Sequence, residues 1–121
     1  VIRRSGVVLQ YFYITSVCPL GFTHTGPAGR EKNYNYYDRH DLTTAVYDFI
    51  VDSIRKQIAL GVSTDKCFCL GTGKNEKFLL ALNGKHKFFG SIIALEHPRF
   101  IMQYRSKSVH VYIEKYLQAF S

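Results

Sequence analysis

Apolar positions fall into separate blocks whose spacing predicts alternating strands and helices. Tyr11-Phe12-Tyr13-Ile14-Thr15-Ser16-Val17 is aromatic and β-branched, and Pro19 stops the run, so residues 11–17 are expected to be a strand. Residues 7–10 either extend it or close a preceding turn. Residues 21–40 lose the pattern: Gly21, Gly26-Pro27 and Gly29 punctuate a long Asn- and Tyr-rich loop. Leu42, Ala45, Val46, Phe49, Ile50, Ile54 and Ile58 then recur at helical spacing, predicting a helix capped by Asp41, running to about Leu60 and ended by Gly61. Lys66-Cys67-Phe68-Cys69-Leu70 reads as a buried strand entering the turn Gly71-Thr72-Gly73. A second helix carries Glu76 and Phe78 to Leu82, with Asn83-Gly84 as its end. Phe88 to Leu95 is a further strand, with Ser91–Leu95 at its core, and His97-Pro98 follows at its carboxyl end. After an irregular basic and aromatic stretch, Val109, Tyr112, Ile113, Tyr116, Leu117 and Phe120 mark a last amphipathic helix.

Strands separated by helices imply a parallel sheet with right-handed crossovers. Working residues in such sheets gather where the strands end at their carboxyl edge. Three segments qualify: Ser16 to Phe22, Gly71 to Asn75, and His97 to Lys107. No repeat or low-complexity tract interrupts the 121 residues, which are short enough for one domain.

Charge narrows the partners. Lys and Arg number 16 against nine Asp and Glu, a net charge of +7, which favours phosphate-bearing partners. The same balance excludes an acidic calcium-binding module. Three cysteines, set in apolar runs, exclude a disulfide scaffold and fit a reducing, intracellular setting. No apolar run approaches the ~20 residues of a membrane span, so no membrane partner is expected. The chain begins Val1-Ile2-Arg3-Arg4 without Met or a signal-peptide layout. A processed or partial chain is therefore expected.

Several groups carry candidate chemistry. Gly71-Thr72-Gly73-Lys74-Asn75 places a glycine turn between a strand and a helix start, where backbone N–H groups and the helix dipole attract anions. Its spacing is not that of a Walker loop. His97, alone among five histidines, stands at the carboxyl end of a predicted strand, where it can donate to a developing oxyanion. Pro98 fixes the backbone there and Arg99 can reach a phosphate. Five basic residues and one acid lie between Lys85 and Lys107, interleaved with Phe100, Ile101, Met102 and Tyr104. Such a segment can track phosphates and wedge an apolar tip into stacked bases; equally, Phe100 and Ile101 can be a helix turn folded into the core. Cys67-x-Cys69 lacks a second ligand pair, so no metal site is expected. No nucleophile-elbow motif supports a hydrolytic triad from Thr15, Ser16, Asp38 and His97. Asn33 to Asp38 can stack bases or clamp the loop.

In order along the chain, these segments resemble the uracil-DNA glycosylase superfamily, most closely its single-strand-selective monofunctional (SMUG) branch and, within it, a bacterial subfamily. Tyr13 to Phe22 resembles the strand that ends in the base-reading position followed by Cys-Pro-Leu. Gly26-Pro27-Ala28-Gly29-Arg30 is similar to the loop after it. Leu60-Gly61-Val62 with Cys67 to Gly73 resembles the strand and phosphate-binding loop. Ala94-Leu95-Glu96-His97-Pro98-Arg99, continuing to Tyr104, is similar to the His-Pro motif and DNA-inserting loop.

The resemblance implies an α/β three-layer sandwich, with a central mainly parallel sheet flanked by helices, and one domain over residues 1–121 that is incomplete at its amino terminus. It implies a cofactor-free DNA repair glycosylase that flips uracil or a related damaged base out of single- or double-stranded DNA and hydrolyses its glycosidic bond. His97 would be the catalytic donor, and Ser16 would read the base edge. Gly71, Thr72, Gly73 and Lys74 would grip a phosphate. Pro98, Arg99 and Phe100 would fill the gap left by the flipped base, while Arg105 and Lys107 would hold the DNA backbone. Two features depart from the family: Ser16 stands where Asn is usual, and the G-x-N-P-G-like first motif with its water-positioning residue is missing. The expectation is thus a carboxyl-terminal portion, inactive alone, of a protein that is monomeric at full length and works in the bacterial cytoplasm at the nucleoid. The competing expectations are a non-catalytic nucleic-acid-binding α/β module and a structural domain whose sheet edge recruits a partner.

Overall fold

The computed structural model describes residues 12–121. Contacts divide the chain into two compact units, Val1–Val62 and Ser63–Ser121.

In the first unit, residues 12–21 run without regular structure, and Tyr13 and Ile14 are exposed. The strand expected at 11–17 is therefore not formed over its described part; residues 7–11 lie outside the described residues. Aromatic and β-branched residues favour an extended chain, but a strand exists only where another backbone pairs with it. The opposite happens in the expected long loop. Phe22–Thr25 (β1) pairs antiparallel with Glu31–Tyr34 (β2), from Phe22 opposite Tyr34 to Thr25 opposite Glu31. The Gly26 amide donates to Arg30 O at 2.9 Å, and Gly29 turns the chain with a φ of 74°. Each strand is four residues long and mostly exposed, with Phe22 and Tyr34 only at the paired end, too short to show a hydrophobic period.

Helix α1 spans His40–Ala59 and buries Val46, Ile50, Val51 and Ile54. Ile50 is wholly buried, whereas Phe49, expected on the same stripe, is 43% exposed. Asp41 is not the cap. Arg39 holds that position in extended conformation, and Asp41 sits in the first turn, 2.8 Å from the Arg39 guanidinium. A carboxylate there still suits the positive end of the helix dipole. Gly61, with φ of 97°, ends the helix by donating to Ile58 O.

The second unit contains a parallel pair, Lys66–Leu70 (β3) and Ser91–Leu95 (β4), in register from Lys66 opposite Ser91 to Leu70 opposite Leu95. Helix α2, Lys74–His86, connects them and buries Leu79 and Leu82. It passes through Asn83-Gly84, the expected stop, and ends at Lys87 in left-handed conformation. Asn83 does not terminate the helix because its side chain is engaged elsewhere, giving and taking hydrogen bonds with the Phe89 backbone at 3.1 and 2.8 Å. Gly90 admits the chain into β4: a Cβ there would stand 2.7 Å from Asp65 O.

The stretch expected to be irregular is a short helix, α3, Pro98–Tyr104, followed by a 3₁₀ turn at Ser106–Ser108. Pro98 starts it, as proline tends to do at a first helical position, and buried Ile101 anchors it. Helix α4, Val109–Phe120, closes the unit. Its Phe120 ring meets Phe68 of β3 edge-on, with centroids 4.8 Å apart.

The parallel pair, its helices and the buried apolar residues form the expected α/β architecture. Cys69 and Leu95, on adjacent strands, are 3% and 1% exposed. Leu95→Ala should lower stability by about 2–5 kcal/mol, read as the shift in a urea unfolding midpoint. Gly90→Ala should also destabilise, because its new methyl meets backbone that cannot swing aside.

Candidate nucleic-acid interface

Because Leu70 and Leu95 are register partners, β3 and β4 end side by side. The chain leaving β3 enters Gly71-Thr72-Gly73, and the chain leaving β4 enters Glu96-His97. One bond joins these exits: the Gly71 amide donates to Leu95 O at 2.7 Å. Gly71 has φ of 131°, a conformation that L side chains rarely adopt. Beneath the turn, the Cys69 thiol donates to Gly71 O at 3.6 Å and accepts from Asn75 Nδ2 at 3.5 Å. Helix α2 begins at Lys74 with Gly73 as its cap, and no side chain caps it. Its first-turn amides have no acceptor within the helix, so this end of α2 presents backbone donors beside exposed Thr72 and Lys74.

His97 caps α3. Its backbone is extended (φ −64°, ψ 136°), as the residue before a proline must be, and its Nδ1 accepts the Arg99 amide at 3.0 Å. With Nδ1 occupied as an acceptor, the neutral imidazole carries its proton on Nε2. His97 is thus a fixed hydrogen-bond donor at an exposed position, at the carboxyl end of β4.

Preceding it, Glu96 is held by α4. Lys115 Nζ reaches both carboxylate oxygens at 2.6 and 2.9 Å, and the Tyr116 hydroxyl donates to Glu96 O. The Lys115 hydrogen bond holds the Glu96 carboxyl below its ordinary range. Burial, with the Glu96 charge adding to it, pushes the Tyr116 phenol up. Sequence alone does not reveal this grip: Tyr116 falls in an apolar stripe, and a glutamate beside a His-Pro pair carries no signal of a partner 20 residues on.

Beyond His97 the surface is basic and aromatic. Arg99 is exposed; Phe100 is 38% exposed; Met102 and Tyr104 are more so. The Arg105 guanidinium lies over the Phe100 ring, 5.4 Å from its centroid, and also donates to Tyr104 O. Lys107 stands exposed on the 3₁₀ turn. Of the two readings of Phe100 and Ile101, each residue takes one: Ile101 is buried and Phe100 is presented.

The second unit therefore joins the Gly71 to Lys74 turn to His97-Pro98, with Arg99, Phe100, Arg105 and Lys107 continuing from it. Ser16 lies in the first unit, exposed in a segment without regular structure. In that unit an open cleft of about 400 Å³ is lined by Phe22, His24, Tyr34, Arg39 and Asp41 among others. Among the described residues no cluster of His, Cys, Asp or Glu suits a metal ion, and no helix is long and apolar enough to cross a membrane. Burial pushes the Cys67 thiol up to about 11, so it is not a thiolate nucleophile at neutral pH.

The Glu96–Lys115 pair has a pH signature. A carboxyl held below its unfolded value contributes stability above about pH 4.3, and that stability is lost as pH falls through the lower folded value. Lys115→Met should destabilise at pH 7 by up to about 1 kcal/mol. That difference should shrink toward zero between pH 4 and pH 2, as measured by urea unfolding at each pH.

The crystal structure of wild-type Pedobacter heparinus SMUG2 superposes with a TM-score of 0.85 at 63% identity, over 90% of this chain and 47% of that one. The present residues thus span about half the length of that relative. No match is found among curated proteins. The family model of the uracil DNA glycosylase superfamily matches residues 1–121, and the chain belongs to that superfamily.

Proposed function

We propose that the protein carrying this chain excises uracil, or a related deaminated or damaged base, from DNA by hydrolysing the N-glycosidic bond of a flipped-out nucleotide. The observation that carries the reading is His97: its Nδ1 is occupied by the Arg99 amide at 3.0 Å, which leaves Nε2–H as a donor beside a glycine turn suited to phosphate. The family match and the likeness to SMUG2 support it.

In this mechanism the C1′–N1 bond breaks before the nucleophile arrives. The bonding pair leaves with the base, which departs as an anion with charge on its carbonyl oxygens. His97 Nε2–H donates to that growing charge. A donor already fixed in place needs no reorganisation as the charge appears. Water then adds to the sugar cation at C1′, and its proton passes through solvent to the departed base anion, leaving an abasic site and the neutral base. Ser16 contacts the edge of the base. Backbone amides at Gly71 to Lys74 hold a phosphate. Pro98 aims α3 so that Arg99 and Phe100 prop the gap left in the stack. Arg105 and Lys107 hold the DNA backbone without reading sequence. No step calls on a metal or organic cofactor. The free cysteines Cys18, Cys67 and Cys69 suit a reducing, intracellular setting.

His97→Ala should slow single-turnover excision of uracil from an oligonucleotide about 10²–10³-fold, with DNA affinity little changed. An unchanged rate would remove His97 from the mechanism. Arg105→Ala and Lys107→Ala should each weaken DNA binding equally across sequences. Each should also reduce the salt slope of log affinity by about 0.7–0.9 per lost phosphate contact, as fluorescence anisotropy across a salt series would show.

A further inference from the structure

We propose that Tyr116 and Lys115 of α4 are positioning residues for His97, acting through Glu96; this rests on the excision chemistry proposed above. Three successive carbonyls at the end of β4 are held from three directions. Leu95 O accepts from the Gly71 amide at 2.7 Å, Glu96 O from the Tyr116 hydroxyl, and His97 O from the Ile101 amide at 3.1 Å. The Glu96 carbonyl belongs to the peptide unit that leads into the His97 Cα. The Tyr116 hydroxyl therefore fixes the plane from which the imidazole projects. Its neighbour on the helix, Lys115, takes the Glu96 carboxylate at 2.6 and 2.9 Å. Glu96 is thus gripped at backbone and side chain by consecutive residues of one helix.

With the backbone fixed, the imidazole keeps only its two side-chain torsions, and the Nδ1 bond to the Arg99 amide sets them. A donor must meet the leaving oxygen within a few tenths of an ångström to contribute fully. A tyrosine phenol is protonated at neutral pH, and burial with the Glu96 charge pushes this one further up, so its hydroxyl remains a donor to Glu96 O. None of α4 is fully buried, yet two of its polar side chains hold the residue immediately before His97. Apolar packing alone does not call for that arrangement.

The test compares variants of the full protein that carries this chain. Tyr116→Phe removes one oxygen and should lower the single-turnover rate at saturating enzyme about tenfold, the effect of one lost hydrogen bond of ~1.4 kcal/mol, with DNA affinity unchanged. Lys115→Met should lower it less, and Lys115→Arg should restore it. The deciding arm is a double-mutant cycle: in a His97→Ala background, Tyr116→Phe should change the rate less than twofold. Equal losses in both backgrounds, or no loss in either, would overturn the proposal. A second readout needs no activity. The ¹⁵N imidazole spectrum of His97 should show Nδ1 as the acceptor in the unsubstituted protein and averaged or shifted nitrogens in Tyr116→Phe. Identical spectra would overturn positioning. If the unsubstituted protein excises no uracil, the functional reading fails, and the imidazole spectra still decide whether Tyr116 orients His97.

Discussion

The arrangement of the second unit depends on one hydrogen bond, from the Gly71 amide to Leu95 O. It is the last rung of the β3–β4 ladder, and it fixes the level at which both strands leave the sheet. Parallel strands fix side-chain direction by register, and a slip of one residue would turn every side chain to the opposite face. Here the register sets Leu70 against Leu95, so the glycine turn and the His97 loop must emerge together. Gly71 then turns at once, through a backbone conformation that a side chain would strain. His97 leaves as the cap of α3. An anion-attracting turn and a fixed donor become neighbours because two strands stop at the same height.

Where hydrophobic pattern and backbone pairing coincide, the elements were legible in the sequence. The burial stripe of α1, the buried Cys69 and Leu95 of the parallel pair, and the amphipathic α4 all follow from spacing. Two errors share one cause. Residues 12–17 have strand composition without regular structure, whereas residues 22–25 and 31–34 pair although each run is only four residues long and set among glycines and a proline. Pairing is non-local, and composition reports only what a strand would tolerate. The Asn83-Gly84 error is similar, since the Asn83 side chain found its partner at Phe89 rather than on its own helix. At the candidate site, His97 was legible because position on a strand end is a local property. The Lys115 and Tyr116 contacts to Glu96 were not, because nothing in a sequence shows which side chain of a distant helix returns to a given carbonyl.

Charge is distributed unevenly, which sharpens the meaning of +7. Residues 63–121 hold nine basic and four acidic side chains, net +5, whereas residues 1–62 hold seven and five, net +2. Within the second unit, Lys115 is committed to Glu96, while Arg105 is spread over Phe100 and forms no ion pair among the described residues. A guanidinium on an aromatic face is held in place without being neutralised. That leaves it able to meet phosphate, and it stiffens Phe100, which must resist compression if it props a base stack.

Ser16 shifts the burden of base selection in the proposed reaction onto His97. A uracil edge offers a carbonyl acceptor beside an N–H donor, and a carboxamide can match both at once. A hydroxyl rotates and can donate or accept, so it satisfies one group of uracil or one group of cytosine almost equally well. Edge reading of that kind cannot approach the ~10⁴-fold rejection that a fully matched polar site achieves. Selection can instead come from the leaving group. A departing uracil anion shares its charge between two carbonyl oxygens, whereas a departing cytosine has one. A donor acting on developing oxyanion charge stabilises both, but it gains more from the first, whose charge resides on oxygen to a greater extent. In the proposed reaction a fixed donor at His97 would therefore favour bases that leave easily as oxyanions, a chemical class wider than uracil and defined by deamination itself.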